Sequence, residues 1–583
     1  MTVAFGRFEL DEPCRALRLD GREIPLQPKV FELLAYLVNK HDQVVSKEEL
    51  LSALWPDVTV TEGSLQRAVS LLRATLRKGG MESALRSYPR VGYRLIIEED
   101  APDQGRDLLA DARSSVADQR WCDAAATYRA ADNDLELSVE DLEAWALSLQ
   151  CLGRPSDAIP ILVRAVAKHT RAGDPNAAAI DAVALSTLHL ERGETAVAKG
   201  WIARAESLVS GDDNRPGMGR VYWMQSRLSA IEGEPQRALG LADRAHHLGR
   251  RLGLPDVEAL GLMYRGFFKM CLGETQTGLA DQDCAAALAF SGDCDPMTGA
   301  TLYCNILWAC RTFGDWARAS QWTLGYQQYC AQNHMEFSGA CQLHRAEVLG
   351  IQGSLASALA HIEDALSRLK HDAPWAQGDA YRVLGDIHSA AGDSERALAA
   401  YQKAYALGWD AEPGHAMLLV ERGEADAACA CLERSLVGQS WWTLQRQGIL
   451  LAHLALATVH AGRPERAEAI VKELTEAPER WPMPSIRALG NEASALLAKQ
   501  RGQLALALNH LHLARQLWTS IDSPIHATRI RLLIAELQIS TGDTRGAANE
   551  VRAAYTASQA LGSAKLLQSC RNLQDKLSER STD

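Results

Sequence analysis

A glycine returns at a nearly fixed interval through most of this chain. It stands at Gly153, Gly193, Gly233, Gly273, Gly314, Gly353, Gly392, Gly423, Gly462, Gly502 and Gly542, with gaps of 39 to 41 residues and a single gap of 31. The surrounding pattern is G-x-x-x-x-A-x(6)-A, as in "GRPSDAIPILVRA" from Gly153 and "GDSERALAAYQKA" from Gly392. The residue five after each glycine is Ala or Gly in all eleven units, and the residue seven before is small in ten, with Leu307 the exception. A unit of this length cannot bury an apolar face alone, so it must stack on its neighbours. The spacing predicts an array of helical hairpins with glycine in each turn and small residues where the paired helices cross. A weaker unit, "QRWCDAAATYRAA" from Gln119, precedes the eleven. The array is expected over residues 118–575, with a C-terminal tail over 576–583.

The first 99 residues read differently. Short alternating runs at Val3–Leu10 and Ala16–Leu26 predict strands, with Asp20-Gly21 as a hairpin turn in the second. In "PKVFELLAYLVNK", Pro28 suits a first helical position, and Val30, Phe31, Leu34, Leu37 and Val38 share one face. Ser46 and Glu49 have capping-box spacing and start a second helix that ends near Trp55-Pro56; Thr59 and Glu62 repeat the spacing before a third. In that third helix Leu65, Val69, Leu72 and Leu76 form the core stripe, which leaves Gln66, Arg67, Ser70, Arg73 and Arg77 toward the flanks or solvent. Two last strands are expected near Leu85–Tyr88 and Tyr93–Ile97. The acidic, Pro- and Gly-containing stretch "IIEEDAPDQG" follows as a linker, so 100–117 are expected as linker and leading helix.

Charge is skewed within this small domain. From Gly63 to Ile97 there are seven Arg or Lys and one acid, whereas the preceding 62 residues hold seven basic and eleven acidic side chains. A basic helix and hairpin in a chain of net charge −12 mark a groove-binding element rather than a coat for nucleic acid along the whole length.

Strands, three helices with the third basic, and a hairpin ending "YPRVGYRL" together resemble the winged helix-turn-helix domain of the OmpR/PhoB type. The segments "LQPKVFELLAYLVNKHDQVVSKEELLSALWPD", "SLQRAVSLLRATLR" and "PRVGYRL" fall in the family's order and spacing. The resemblance implies that the third helix enters the DNA major groove and the hairpin wing touches the neighbouring minor groove. It places Ser64, Gln66, Arg67, Ser70, Arg73, Arg77, Lys78, Arg90 and Arg94 at the DNA, and Trp55, Asp57 and Thr59 in a loop that faces RNA polymerase. Ala68 and Leu71 occupy positions that are often polar or basic in the family. The repeats in turn resemble a tetratricopeptide array, of a kind closer to the long-repeat solenoids of MalT- and LuxR-like bacterial regulators than to the usual shorter repeat. That implies a surface for a protein, peptide or small effector, or for assembly into a homodimer.

Other chemistry is sparse. The chain has no "GK" dipeptide, hence no P-loop lysine, and neither H-E-x-x-H nor G-x-S-x-G. No enzyme activity and no cofactor are expected, nor a phosphoreceiver ahead of the winged domain. No run reaches about 18 apolar residues, and "MTVAFGRFELDEPCR" lacks the features of a signal peptide, so a cytoplasmic protein away from membranes is expected. Thirteen scattered cysteines suit reduced thiols better than a disulfide framework. Cys330, His334, Cys341 and His344 are residue types that ligate zinc, but packing is the preferred reading, and no metal is assigned. Arg265, Asn305, Trp308, Arg345 and Arg382, on first helices of neighbouring units, form a candidate effector groove. The mainly α chain, a small α+β winged domain followed by an all-α solenoid, therefore reads as a one-component transcriptional regulator that binds double-stranded DNA and activates. The competing reading is an interaction scaffold whose winged domain has lost specific DNA binding.

Overall fold

Alternation dictates antiparallel pairing at the N-terminus. Strands β1 (Thr2–Phe5), β2 (Phe8–Asp11), β3 (Ala16–Leu19) and β4 (Arg22–Ile24) pair in chain order. The run Val3–Leu10 is thus two strands rather than one: Phe5 pairs with Phe8, and both rings are buried and stacked. The computed structural model describes the chain except at residues 1, 6, 20, 42, 57–59, 61, 82, 83, 89, 90, 97–103, 212, 213, 337, 439, 440 and 583. It divides into two units, residues 1–110 and 111–583. Most of the expected linker, and Thr59 as the expected cap of the third helix, lie outside the described residues.

In the first unit, helix α1 (Pro28–Asn39) opens on Pro28 and buries Val30, Phe31, Leu33, Leu34, Leu37 and Val38. A two-residue strand β5 (Val45–Ser46) leads into α2 (Lys47–Leu54), whose N-cap Ser46 Oγ accepts from the Glu49 amide at 3.1 Å. Lys29 Nζ donates to the Leu54 carbonyl at 2.5 Å and satisfies the other end. Helix α3 (Glu62–Lys78) buries Leu65, Ala68, Val69, Leu72 and Leu76 in the same core as α1 and β2. Strands β6 (Leu85–Tyr88) and β7 (Gly92–Leu95) form the wing, and β5 adds to β7. A Cβ on Gly92 would stand 1.8 Å from the Val45 carbonyl oxygen, so only glycine lets β5 lie against β7.

The second unit is helical throughout. All eleven periodic glycines have left-handed φ, between 65° and 99°, which is why the pattern demands glycine in each turn. The expected crossings are present. Gly266 and Gly278 touch so closely that a Cβ on either would lie 2.4–2.5 Å from the other's carbonyl oxygen. Ser186 Oγ donates to the Ala198 carbonyl at 2.8 Å across the equivalent crossing. The short gap has a plain cause: the helix Gly414–Glu421 has 8 residues, whereas Pro484–Gln500 in the same role has 17. The last helix, Ala564–Thr582, continues through residues expected as a tail.

First helices such as Pro255–Cys271 and Pro296–Phe313 are buried on most sides. Second helices such as Pro235–Leu252 bury one stripe, including Ala238, Ala242, Ala245 and Leu248. The difference arises because the solenoid coils onto itself. Ser485 Oγ donates to the Gly314 carbonyl at 2.6 Å, Ser523 Oγ to Ile351 at 3.4 Å and Ser563 Oγ to Ala390 at 2.7 Å. Each bond joins the start of a first helix to the end of the first helix five units earlier. The Glu336 amide to the Cys151 carbonyl and Trp121 Nε1 to the Asn333 carbonyl, at 2.9 and 2.8 Å, repeat that offset nearer the N-terminus. All three serines are fully buried, so their loss would leave unpaired carbonyls at about 1–3 kcal/mol each. Replacing Ser485, Ser523 and Ser563 with alanine is expected to lower the unfolding midpoint and speed amide exchange at both sides of the seam. Hydrogen-exchange mass spectrometry checks this, and unchanged exchange would remove the seam from the account of stability.

Candidate nucleic-acid interface

Burial of the Leu65–Leu76 stripe fixes which side of α3 faces out. Gln66, Arg67, Ser70, Leu71, Arg77 and Lys78 are exposed on that side, and Ser64 is half-buried. Ala68 is buried in the core, so its apolar character follows from packing; Leu71 is a large apolar residue on the outward stripe, 37% exposed. Arg73 sits differently from its neighbours. Its Nη2 donates to the Leu85 carbonyl at 3.0 Å and to Ser87 Oγ at 2.7 Å, so it ties α3 to the first strand of the wing.

The wing adds a residue that family position alone did not single out. Arg86 on β6 is exposed and lies directly opposite Arg94 on β7 in the antiparallel register. The signal was legible as two arginines each four residues from Arg90 in the "YPRVG" hairpin. Arg90 at that turn lies outside the described residues. Of the polymerase-facing candidates, Trp55 is half-buried at the end of α2 with Lys29 Nζ 5.8 Å from its ring centroid, and Asp57 and Thr59 lie outside the described residues.

The five candidate effector residues do lie on first helices, but the polar groups of Arg265, Asn305, Trp308 and Arg382 engage internal partners. Arg265 pairs with Asp281 at 2.6 Å and Asp243 at 3.1 Å. Asn305 accepts from the Tyr264 hydroxyl at 2.8 Å. Trp308 is buried, donates to Gln445 Oε1 at 3.0 Å and packs against Trp375, Trp409 and Trp442. Arg382 joins a buried network: it pairs with Asp379, Glu347 and Asp386 at 2.7–2.9 Å, and Arg311 reaches Asp379 at 3.1 Å and also pairs with Glu347. Arg345 is half-buried near His361. Trp308 and Arg382 thus meet around Arg311, while Arg265 belongs to a separate acidic cluster.

The four Cys and His residues of the "CAQNHMEFSGACQLH" stretch also diverge. Cys330 and Cys341 are buried, and Cys341 Sγ lies 3.1 Å from the Tyr326 hydroxyl. His344 is buried with Nδ1 against the Arg311 guanidinium and Nε2 3.5 Å from Cys304 Sγ, and burial holds its imidazole neutral. His334 is exposed at a turn. Among the described residues, the groups of three ligand atoms within 4.8 Å of one another do not include these four. All thirteen cysteines are unbridged. Among the described residues, no helix is long and apolar enough to cross a membrane.

Comparison with known proteins follows the same division. Residues 21–95 match the family described as "Transcriptional regulatory protein, C terminal". The chain is similar to the transcriptional activator CadC of Escherichia coli (strain K12), 25% identical over 97 residues, covering 16% of this chain and 19% of that protein. It is similar to the phosphate regulon transcriptional regulatory protein PhoB of Rhizobium meliloti (strain 1021), 32% identical over 91 residues, covering 15% and 40%. It is also similar to the transcriptional regulatory protein PrrA of Mycobacterium tuberculosis (strain ATCC 25618 / H37Rv), 30% identical over 98 residues, covering 17% and 42%. The chain therefore spans 19% to 42% of the length of these curated relatives. Among solved structures, a chain of the APC/C hetero-tetramer Cut9-Hcn1 aligns with 80% of this chain and 96% of its own, at 12% identity and a TM-score of 0.35. Residues 21–95 are a winged helix-turn-helix domain of the OmpR/PhoB type, in a chain whose second unit is a solenoid of helical hairpins.

Proposed function

We propose that this protein is a DNA-binding regulator of transcription. The observation that supports this best is the outward face of the winged domain: Arg67, Arg77 and Lys78 on α3, and exposed Arg86 on the wing. Arginine pairs bidentately with guanine or phosphate, and Gln66 suits adenine. In this reading α3 enters the major groove and the wing lies over the neighbouring backbone. Arg73 contributes by holding the two at a fixed angle. A single winged domain buries little DNA surface, so tandem sites or a homodimer supply the remaining affinity.

The regulation we propose is activation, through RNA polymerase contact by the loop that begins at Trp55. The solenoid carries the chain's negative charge and would repel phosphate, so it receives a protein, a peptide or a small effector. Exposed Leu71 on α3 favours the second reading, in which the domain docks on protein. Capture of fragmented genomic DNA on full-length protein, followed by sequencing, separates the two. Enriched sites whose binding falls steeply with salt support the regulator, because neutralised phosphates release counterions. Absence of enrichment, with stable protein complexes, supports the scaffold.

A further inference from the structure

At the start of the solenoid, three ligand-bearing side chains from three successive helices meet. Glu143 comes from Val139–Cys151, His169 from Pro155–Ala172 and Asp181 from Pro175–Glu191. His169 Nε2 lies 2.8 Å from Glu143 Oε1 and 3.8 Å from Asp181 Oδ2, and the three ligand atoms all fall within 4.8 Å of one another. Asp181 is 5% exposed, yet its Oδ2 has no hydrogen-bond partner among the described residues. No lysine or arginine pairs with it there either. A buried carboxylate oxygen aimed at an imidazole nitrogen and left without a donor is costly unless something cationic sits between them.

We propose that Glu143, His169 and Asp181 form a binding site for a first-row divalent metal ion, with zinc the best-matched probe. Ligands about 2.0–2.2 Å from a tetrahedral ion stand roughly 3.3–3.6 Å apart, and the observed separations bracket that range. The donor set is one nitrogen and two carboxylates, with the Glu143 side chain 41% exposed at the rim to leave the fourth position to water. An imidazole selects zinc, cobalt or nickel over calcium and magnesium, which take oxygen ligands alone. The ion would staple both helices of the first full repeat to the first helix of the next. The other three-ligand group, Glu412, His415 and Cys431, is less suited: the Arg434 guanidinium already donates to Cys431 Sγ at 3.1 Å, and the Ala416 amide to Glu412 at 2.7 Å.

Full-length protein, stripped with chelator, would be titrated with zinc ion by calorimetry. The wild type is expected to bind one equivalent that Asp181→Asn and His169→Gln each weaken by more than about tenfold, since even outer-shell losses cost that much. Zinc should raise the unfolding midpoint of the wild type and not of the variants. Cobalt substituted at the site should show ligand-field bands without thiolate charge transfer. Equal binding in all three proteins, no binding in the wild type, or binding abolished by Cys431→Ser but not by Asp181→Asn would each overturn the assignment. Asp181→Asn keeps the side-chain shape, and His169→Gln provides an independent reading if one variant folds poorly.

Discussion

Full-length protein carrying Arg67→Ala, Arg77→Ala and Arg86→Ala together is expected to lose about a hundredfold in affinity for its enriched DNA sites. All three side chains are exposed on the outward face of α3 or the wing. At about 1 kcal/mol for each lost contact the three sum to roughly 3 kcal/mol, and 1.4 kcal/mol is a factor of ten. The mechanism leaves a second trace. Every phosphate contact removed should reduce the slope of log affinity against log salt by about 1, so a triple variant that binds weakly with an unchanged slope would contradict phosphate contact. Fluorescence anisotropy over a salt series reads both quantities. Arg73→Ala should behave differently: losing the bonds to the Leu85 carbonyl and Ser87 frees the wing from α3, so DNA binding and domain stability should fall together. Arg67→Ala should lose binding alone.

That contrast shows where sequence reading stops. The α3 stripe was legible because helical periodicity fixes which residues face the core, and Leu65, Val69, Leu72 and Leu76 left one solution. Family position placed Arg73 beside Arg67 as a DNA contact, yet its acceptors lie on β6, 12 and 14 residues on. Nothing local in the α3 sequence announces a partner across a hairpin. Strand β5 was missed for a related reason. Two residues carry no period, and only the approach of Gly92 to the Val45 carbonyl defines the strand.

In the solenoid the local requirement was fully legible, because a left-handed turn and a tight helix crossing each select residue type directly. The return of the coil onto itself was not. Its contacts join serines to carbonyls 171 to 173 residues away, and a serine at the start of a helix looks like an ordinary cap. This coiling also explains why the effector candidates read as an open groove. First helices that would line a concave face in a loose array are here packed against later turns, so Trp308 meets Gln445 in the interior.

Asp379→Ala is expected to be the most destabilising single change in the solenoid, at about 3–5 kcal/mol, because it leaves Arg311 and Arg382 buried with part of their counter-charge removed. Asp379 is 1% exposed and accepts from both guanidinium groups. Burial alone would raise its carboxyl; Arg382 and Arg311 outweigh burial and hold it at about 2. The folded value lies below the ordinary value of about 3.9, so the associated stability is complete above about pH 4 and is lost as pH falls toward 2. By linkage that window is worth about 2–3 kcal/mol, and Asp379→Asn should flatten it. Asp386 acts with the opposite sign. Burial pushes its carboxyl up to about 6, so the folded state holds a proton that the unfolded chain releases, and stability falls as pH climbs from about 4 to 6. Thermal unfolding of the wild type, Asp379→Asn and Asp386→Asn from pH 2 to 7 separates the two windows. Each substitution should remove the pH dependence in its own window and leave the other in place. A variant that alters both windows equally would mean that the network titrates as one unit rather than as two independent carboxylates.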